Sequence, residues 1–234
     1  MGSVMQVRKK TDAACFIFDL DGTIVDSNKA ISVCYNAALT EMGYKRQSEE
    51  HIRKMIGLPL TEMFASSVEH GNIDEAVIRY RFHYQTVCLE ETTLLPGAFS
   101  VLEELDNKGA YIGLATNKPS RFAKMILASL AVIHFFDIIV GPEDVARPKP
   151  HPDMLLHITN EANTHRKSTV FVGDSITDVI TARRAGVPMY AVSSGSHTYH
   201  ELLDESPDWT CRSLDGLLLL HDQSRGGHDE KSNN

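Results

Sequence analysis

The clearest pattern along the chain is a series of short apolar runs that alternate with longer, helix-like segments. Runs of about five apolar residues bounded by turn residues predict buried strands. The predicted strands lie at residues 14–18 and near Ile112, Ile138, Val170 and Tyr190, with a shorter one near Trp209. Strands that alternate with helices predict a parallel sheet with right-handed crossovers, which is an α/β fold.

The stretch between the first strand and Pro96 differs, because helical periodicity runs through almost all of it. Four helices are predicted there, at residues 28–42, 48–56, 60–68 and 73–91. Asn72 followed by Glu75 predicts a capping box at the start of the last helix. The stretch is therefore predicted to be a helical insertion between the first strand and the rest of the sheet.

Length and composition favour one soluble enzyme with an inserted module. A chain of 234 residues can hold one α/β domain and a smaller second unit, and its 42% hydrophobic content is ordinary for a globular protein. No window of about 18 apolar residues and no signal-peptide core is present, so we expect no membrane association and a cytoplasmic location. The net charge of -8 disfavours binding to nucleic acids.

The candidate chemistry begins where the first predicted strand ends. Residues 19–23 read Asp-Leu-Asp-Gly-Thr, which places the carboxylates of Asp19 and Asp21 two positions apart. The carboxyl ends of strands in an open parallel sheet form the ligand crevice. An aspartate can form a covalent phosphoryl intermediate, and a second acid can transfer protons. This segment therefore indicates metal-assisted chemistry, with which phosphoryl transfer is compatible.

Two further segments carry groups that can bind phosphate. Thr116 and Asn117 follow a predicted strand and precede a helix, where a hydroxyl and a backbone amide can bind a phosphate oxygen. Lys149 lies between two prolines that limit its backbone, so its ammonium group can neutralise charge shared by a nucleophile and a phosphate. A local positive field is expected around the site from four residues: Lys118, Arg121, Arg147 and Lys149.

A second pair of acids ends the strand near Val170. Asp174 follows that strand, and Asp178 lies four residues further on, which places both on one face of the following helix. Mg²⁺ prefers oxygen ligands and uses one or two carboxylates together with substrate phosphate, a role that Asp19 and Asp174 fit. Asp178 has two equal interpretations, as a part of the metal site or as an acid stabilised at a helix N-terminus.

The four segments, in this order, resemble the haloacid dehalogenase superfamily of Mg²⁺-dependent phosphatases and phosphotransferases. The resemblance implies that Asp19 is the nucleophile and that Asp21 is the acid that protonates the leaving oxygen and then the base that activates water. It implies Thr116 and Lys149 as further catalytic groups. It also implies metal ligation by Asp19, Asp174, the backbone carbonyl of Asp21, and Asp178 either directly or through water.

The same resemblance implies the domain organisation. A Rossmann-like parallel sheet is expected to form the catalytic core, residues 13–26 and 96–222, and a small all-α unit, the cap, is expected at residues 27–95. The composition of residues 223–234, rich in Gly, Ser, Asp and Asn, predicts a disordered tail.

Substrate choice is expected to depend on the cap. Gly57, in a loop between two cap helices, joins Thr116, Asn117 and Lys149 as a predicted substrate-binding residue, and the nearby charges to test are Arg53, Lys54 and Arg79. Within the superfamily the chain most resembles phosphoglycolate phosphatases and their pyrophosphatase relatives. A small phosphorylated metabolite is thus the expected substrate, for a monomer or homodimer. A sugar phosphomutase, an inorganic pyrophosphatase and a non-catalytic phosphometabolite-binding protein stay open as alternatives.

Overall fold

The computed structural model describes residues 14–217, and its main element is a six-stranded parallel sheet. The strands of the chain are β1 (Cys15–Phe18), β2 (Val25–Asp26), β3 (Thr93–Leu94), β4 (Tyr111–Ala115), β5 (Ile138–Val140), β6 (Thr169–Gly173), β7 (Met189–Val192) and β8 (Trp209–Cys211). The large sheet has the order β5-β4-β1-β6-β7-β8, and all its neighbouring pairs are parallel. The predicted α/β class and all six predicted strands are confirmed.

The strand order reverses at β1, which lies in the middle of the sheet. Phe18 at the end of β1 pairs with Leu114 of β4 on one side and with Val172 of β6 on the other. Along the chain, β4 and β5 are added on one side of β1, and β6, β7 and β8 are then added on the other. A crevice opens at such a reversal point, outside the carboxyl ends of the strands.

The predicted helical insertion lies between β2 and β3. Its helices are α1 (Asn28–Glu41), α2 (Glu49–Met55), α3 (Leu60–Ala65) and α4 (Ile73–Glu90), close to the predicted bounds. Strands β2 and β3 pair in antiparallel fashion where the chain enters and leaves this segment. The predicted capping box at Asn72 is wrong, because Asn72 ends a 3₁₀ turn and its amide donates to the Tyr44 hydroxyl at 2.7 Å instead.

The remaining helices cover the two faces of the sheet. They are α5 (Ala98–Asn107), α6 (Ser120–Ser129), α7 (Asp153–Glu161), α8 (Ile176–Ala185) and α9 (Tyr199–Asp204). Alternate side chains of β1 serve the two layers: Phe16 and Phe18 pack with α5, α6 and the helical insertion, whereas Cys15 and Ile17 pack with α7, α8 and α9. Both faces are buried, as expected for a parallel sheet.

Some sequence expectations fall beyond the described part of the chain. The tail at residues 223–234 lies outside the described residues, as do residue 13 and residues 218–222 of the expected catalytic core. In residues 14–217, no helix combines the length and the apolar character needed to cross a membrane.

Candidate active site

Three of the predicted site acids meet at the carboxyl edge of the sheet. Asp19 follows β1, Asp174 follows β6, and Asp178 lies in the first turn of α8. All three are buried, and one carboxylate oxygen of each lies within 4.8 Å of the others. Neighbouring parallel strands end at the same edge, which explains why residues 155 positions apart in sequence (174 − 19) become neighbours.

Lys149 lies between two of these acids. Its Nζ is 2.8 Å from Oδ1 of Asp19 and 2.7 Å from Oδ1 of Asp178, and its side chain is completely buried. Burial opposes the charge of the ammonium group, but the two carboxylates outweigh burial and raise the pKa of Lys149. Lys149 therefore carries its positive charge directly beside the predicted nucleophile.

Asp174 is held by groups that the sequence analysis did not identify. Its Oδ2 accepts hydrogen bonds from the backbone N–H and the hydroxyl of Ser196 at 2.7 and 2.8 Å, and its Oδ1 accepts one from the Thr23 hydroxyl at 3.1 Å. A signal for Ser196 was present, because Ser-Ser-Gly-Ser follows the strand near Tyr190 and therefore ends at the same edge. Such partners fix the direction in which a ligating carboxylate points.

Two of the buried acids, Asp19 and Asp174, have raised pKa values. Burial raises the pKa of Asp174 to about 7, and the Asp178 carboxylate adds to this effect against the opposing hydrogen bonds of Ser196 and Thr23. Burial likewise raises the pKa of Asp19 well above its usual range, although Lys149 opposes the shift. A divalent cation beside Asp19 and Asp174 would favour their ionised forms. The donor set consists of oxygen atoms and suits Mg²⁺.

Two glycines let the backbone approach the carboxylate of Asp174. A Cβ atom at Gly22 would lie 2.4 Å from Oδ2 of Asp174, and a Cβ atom at Gly195 would lie 2.0 Å from the same oxygen. Gly22 also has a φ of +80°, which other residues rarely adopt. Any side chain at either position would displace the carboxylate.

Asp178 performs the structural role that was one of its two interpretations. Its Oδ2 accepts hydrogen bonds from the backbone N–H and hydroxyl of Ser175 at 3.1 and 2.6 Å, while Ser175 caps α8 in return. Its other oxygen accepts the bond from Lys149. Asp178 therefore orients Lys149 and forms the capping box of α8 with Ser175. Its predicted link to the metal stays a prediction.

Asp21 points to a different set of partners. Its Oδ1 accepts hydrogen bonds from Nζ of Lys118 at 2.5 Å and from the Ser27 hydroxyl. Lys118 also donates to the hydroxyl of Tyr84 in α4 at 2.6 Å. The side chain of Asp21 is thus turned toward the helical insertion rather than toward the other three acids. The expected metal ligation by its backbone carbonyl is compatible with this direction.

Asn117 connects the helical insertion to the sheet. Its Nδ2 donates to the backbone oxygens of Gly57 at 2.9 Å and Lys149 at 3.0 Å, and its Oδ1 accepts from the backbone N–H of Lys149 at 3.1 Å. Thr116 is buried beside it, next to β5, through a 3.1 Å bond from its N–H to Val140. The structure brings Thr116, Asn117, Gly57 and Lys149 together, with the Asn117 side chain in a positioning role.

A cavity of about 50 Å³ lies between the sheet edge and the helical insertion. Its polar end contains Asp19, Asp21, Thr116, Asn117 and Lys118. The wall contributed by the helical insertion is apolar apart from the tyrosine hydroxyls and consists of Ile31, Ile56, Gly57, Leu58, Leu60, Met63, Tyr80 and Tyr84. One partly open cavity therefore joins the predicted nucleophile to an apolar wall.

The expected cluster of basic residues forms only in part. Lys118 and Lys149 reach the site, but Arg147 forms an ion pair with Asp153 at 2.9 Å and is largely exposed, and Arg121 lies over the ring of Phe122. The expectation fails there because closeness in sequence does not fix side-chain direction on a loop or helix.

The basic residues singled out in the helical insertion do not line this cavity either. Arg53, Lys54 and Arg79 are not among the described residues that line the cavity. Arg79 pairs with Glu75 and Glu41 on the surface, and Lys54 pairs with Glu50.

Comparisons with known proteins agree with this architecture. The family model described as haloacid dehalogenase-like hydrolase matches residues 16–192. The probable phosphatase IndB of Dickeya dadantii is 33% identical over 197 residues, which cover 82% of this chain and 86% of that protein. A phosphoglycolate phosphatase of Pseudomonas fluorescens is 30% identical over 210 residues, covering 86% and 77% respectively.

Solved structures extend the agreement to the fold. A haloacid dehalogenase-like family hydrolase from Streptococcus pneumoniae superposes with a TM-score of 0.82 at 28% identity, covering 89% of this chain and 98% of that one. A parallel sheet with helices on both faces and acids at the reversal point of its strand order defines the class as an α/β protein. The chain belongs to the haloacid dehalogenase-like hydrolase family. The predicted family is thereby confirmed, and with it the class of enzyme, since its curated relatives are phosphatases.

Proposed function

We propose that this protein is a Mg²⁺-dependent phosphatase that hydrolyses a small phosphorylated metabolite through an aspartyl-phosphate on Asp19. The observation that carries the proposal is the contact of Asp19 with Lys149, 2.8 Å apart and buried beside Asp174 at the carboxyl edge of the sheet. A carboxylate paired with a lysine and supported by a second acid suits attack on an anionic phosphorus centre, because the charge of the phosphate is neutralised locally.

The first chemical step is attack by a carboxylate oxygen of Asp19 on phosphorus. The bond between phosphorus and the ester oxygen breaks, and Asp21 donates a proton to the departing alcohol. Asp21 lines the same cavity as Asp19, within reach of a bound ester. Thr116, the backbone around Asn117 and Lys149 would hold the phosphoryl oxygens during this transfer.

The second step regenerates the enzyme. Asp21 accepts a proton from water as the water oxygen attacks phosphorus, and the bond from phosphorus to the Asp19 oxygen breaks. Inorganic phosphate and free Asp19 result. The use of one acid for both proton transfers requires its side chain to face the cavity, and the contacts of Asp21 with Ser27 and Lys118 hold it there.

Asp19, Asp174 and the backbone carbonyl of Asp21 would hold Mg²⁺, and Asp178 would act through Lys149 or a water molecule. The raised pKa values of Asp19 and Asp174 and the close approach of Gly22 and Gly195 support this assignment. Mg²⁺ bound there would supply positive charge to the phosphoryl oxygens and orient them for in-line attack.

The organisation of the chain is part of the proposal. Residues 13–26 and 96–222 would form the catalytic core and residues 27–95 a cap that closes over it. Support comes from the hydrogen bonds across the boundary, from Asn117 to Gly57 and from Lys118 to Tyr84. We further propose a cytoplasmic enzyme that is a monomer or homodimer.

The alternatives place other demands on the cavity. A sugar phosphomutase or an inorganic pyrophosphatase must hold a second phosphate, and the wall from the helical insertion offers apolar side chains. A non-catalytic phosphometabolite-binding protein has no use for a nucleophile that is paired with an acid at the same cavity. A phosphatase is therefore the function that this arrangement supports best.

The test is release of inorganic phosphate from a panel of phosphate esters with and without Mg²⁺. The panel includes 2-phosphoglycolate, because a relative bears that name, and also pyrophosphate and a sugar phosphate. We expect Mg²⁺-dependent release that disappears in Asp19→Asn. Full activity in excess chelator, or unchanged turnover in Asp19→Asn, would contradict the mechanism, and isomerisation without phosphate release would favour the phosphomutase.

A further inference from the structure

The wall of the cavity opposite Asp19 has a chemistry of its own. Tyr80 and Tyr84 of α4 stack with ring centroids 5.2 Å apart, and Tyr84 meets the edge of Phe122 at 5.3 Å. Leu58 and Met63 line the same cavity. The group that leaves from the phosphate would therefore be surrounded by aromatic rings and aliphatic side chains.

Positive charge for a second anionic group is missing from this cavity. Lys118 is the one basic side chain among the described residues that line it, and it is committed to Asp21 and Tyr84. A carboxylate on the leaving group would lose part of its water and would share the cavity with the carboxylate of Asp21. Burial of an unpaired charge is strongly unfavourable, so such a ligand is disfavoured.

We infer that the substrate is a phosphate monoester of a small aliphatic alcohol that carries no second anionic group. The inference rests on the proposed phosphatase function and specifies its substrate class. A cavity of about 50 Å³ holds roughly four water-sized groups, so the alcohol is small. Phosphoglycolate, the ester named in several relatives, carries a second anionic group and is therefore not the expected substrate of this protein.

A series of alkyl phosphates tests the apolar wall directly. Methyl, ethyl, propyl and butyl phosphate have leaving groups of similar reactivity, so differences in kcat/KM report contact with the wall. We expect kcat/KM to rise by roughly fourfold per methylene, the value that corresponds to burial of one CH₂ group, until the cavity is full. A series that is flat or falls from methyl to butyl would overturn the inference.

A comparison of 2-phosphoglycolate with ethyl phosphate tests whether the cavity lacks a cation for a second anionic group. 2-Phosphoglycolate and ethyl phosphate have the same two-carbon skeleton and differ by one carboxylate. We expect kcat/KM for 2-phosphoglycolate to be at least about tenfold lower, because its carboxylate finds no partner. Equal or better turnover of 2-phosphoglycolate would overturn the inference while leaving the phosphatase function intact.

A pair of variants separates the wall from the rest of the cap. Leu58→Lys adds a cation at a half-buried position that lines the cavity. Ile78→Lys adds a cation elsewhere in the helical insertion, in α4, at a residue that is 66% exposed and lies outside the cavity. Leu58→Lys should raise the ratio of 2-phosphoglycolate to ethyl phosphate turnover by about tenfold or more, and Ile78→Lys should not change it.

A common shift in both variants, or no shift in a folded Leu58→Lys protein, would count against the wall as the determinant. If Leu58→Lys fails to fold, the wild-type alkyl series and the 2-phosphoglycolate comparison decide the question alone. Absence of Mg²⁺-dependent release from every ester would overturn the proposed function itself, and this inference with it.

Discussion

The ammonium group of Lys118 lies 2.6 Å from the hydroxyl of Tyr84, so a hydrogen bond joins the turn after β4 to the longest helix of the insertion. The same ammonium group lies 2.5 Å from Asp21. The position of α4 is thereby connected through one lysine to the acid that is proposed to transfer protons. Closure of the cap and the placement of Asp21 are expected to depend on each other.

Tyr84→Phe tests this connection. The ring and its packing with Tyr80 and Phe122 are retained, while the ammonium group of Lys118 loses one of its two partners and keeps Asp21. A hydrogen bond to a charged group contributes about 1.5 to 3 kcal/mol, so we expect kcat/KM to fall roughly tenfold or more. Tyr35→Phe is the matched control, because the partners recorded for the Tyr35 hydroxyl, the backbone oxygen of Met63 and the hydroxyl of Ser67, both lie within the insertion. Equal kinetic losses in both variants would show that the effect is one of general stability.

Asp21→Asn should separate the two chemical steps. The amide cannot act as acid or base, and general acid-base assistance is typically worth ~10² to 10⁴-fold in rate. We expect turnover to fall by that factor with KM unchanged or lower, and an acid-quenched sample should retain phosphate on Asp19. Asp26→Asn, at an exposed acid in β2, serves as the control and should keep wild-type rates. A large change in KM with an unchanged rate would instead assign Asp21 to binding.

Mg²⁺ should stabilise the protein before any substrate is added. Three buried carboxylates have oxygen atoms within 4.8 Å of one another, and Lys149 pairs with only two of them, Asp19 and Asp178, so a bound cation relieves their repulsion. At a concentration one hundred times its Kd, a ligand adds about 2.7 kcal/mol, which corresponds to a rise in Tm of roughly 5 to 10 °C. Differential scanning fluorimetry with Mg²⁺ and with chelator measures it. The rise should vanish in Asp174→Asn, and a rise of full size in that variant would remove Asp174 from the site.

Gly22→Ala should abolish activity for a local steric reason. Its Cβ atom would lie 2.4 Å from the Asp174 carboxylate, whereas a Cβ atom at Gly43 would meet no atom within 4 Å. Both glycines have positive φ, +80° and +78°, so both alanine variants bear a similar backbone strain. Circular dichroism and phosphate release distinguish the two effects: we expect comparable folding losses but loss of the Mg²⁺ response in Gly22→Ala alone. Parallel losses of activity would attribute both to strain.

The sequence alone determined the fold class and the order of its elements. Apolar runs of strand length and the periodicity of the insertion depend on short-range patterns, which explains why the predicted strands and helices agree closely with the observed ones. The site acids Asp19, Asp21 and Asp174 could also be predicted from the sequence, because residues that follow parallel strands must share one edge of the sheet. The predicted capping box at Asn72 was wrong for the opposite reason: the Asn72 amide donates to the hydroxyl of Tyr44, 28 positions away in sequence.

Only the tertiary structure decided what surrounds those acids. Ser196 at Asp174, Tyr84 at Lys118 and Gly57 at Asn117 are pairings between distant segments, and no local pattern encodes them. The direction of basic side chains was equally undetermined, so Arg147 and Arg79 lie on the surface in ion pairs. The apolar wall that selects the proposed leaving group arises in the same way. Its residues come from three helices of the insertion, α1, α3 and α4, and from the loop before α3, and packing alone brings them to face the predicted nucleophile.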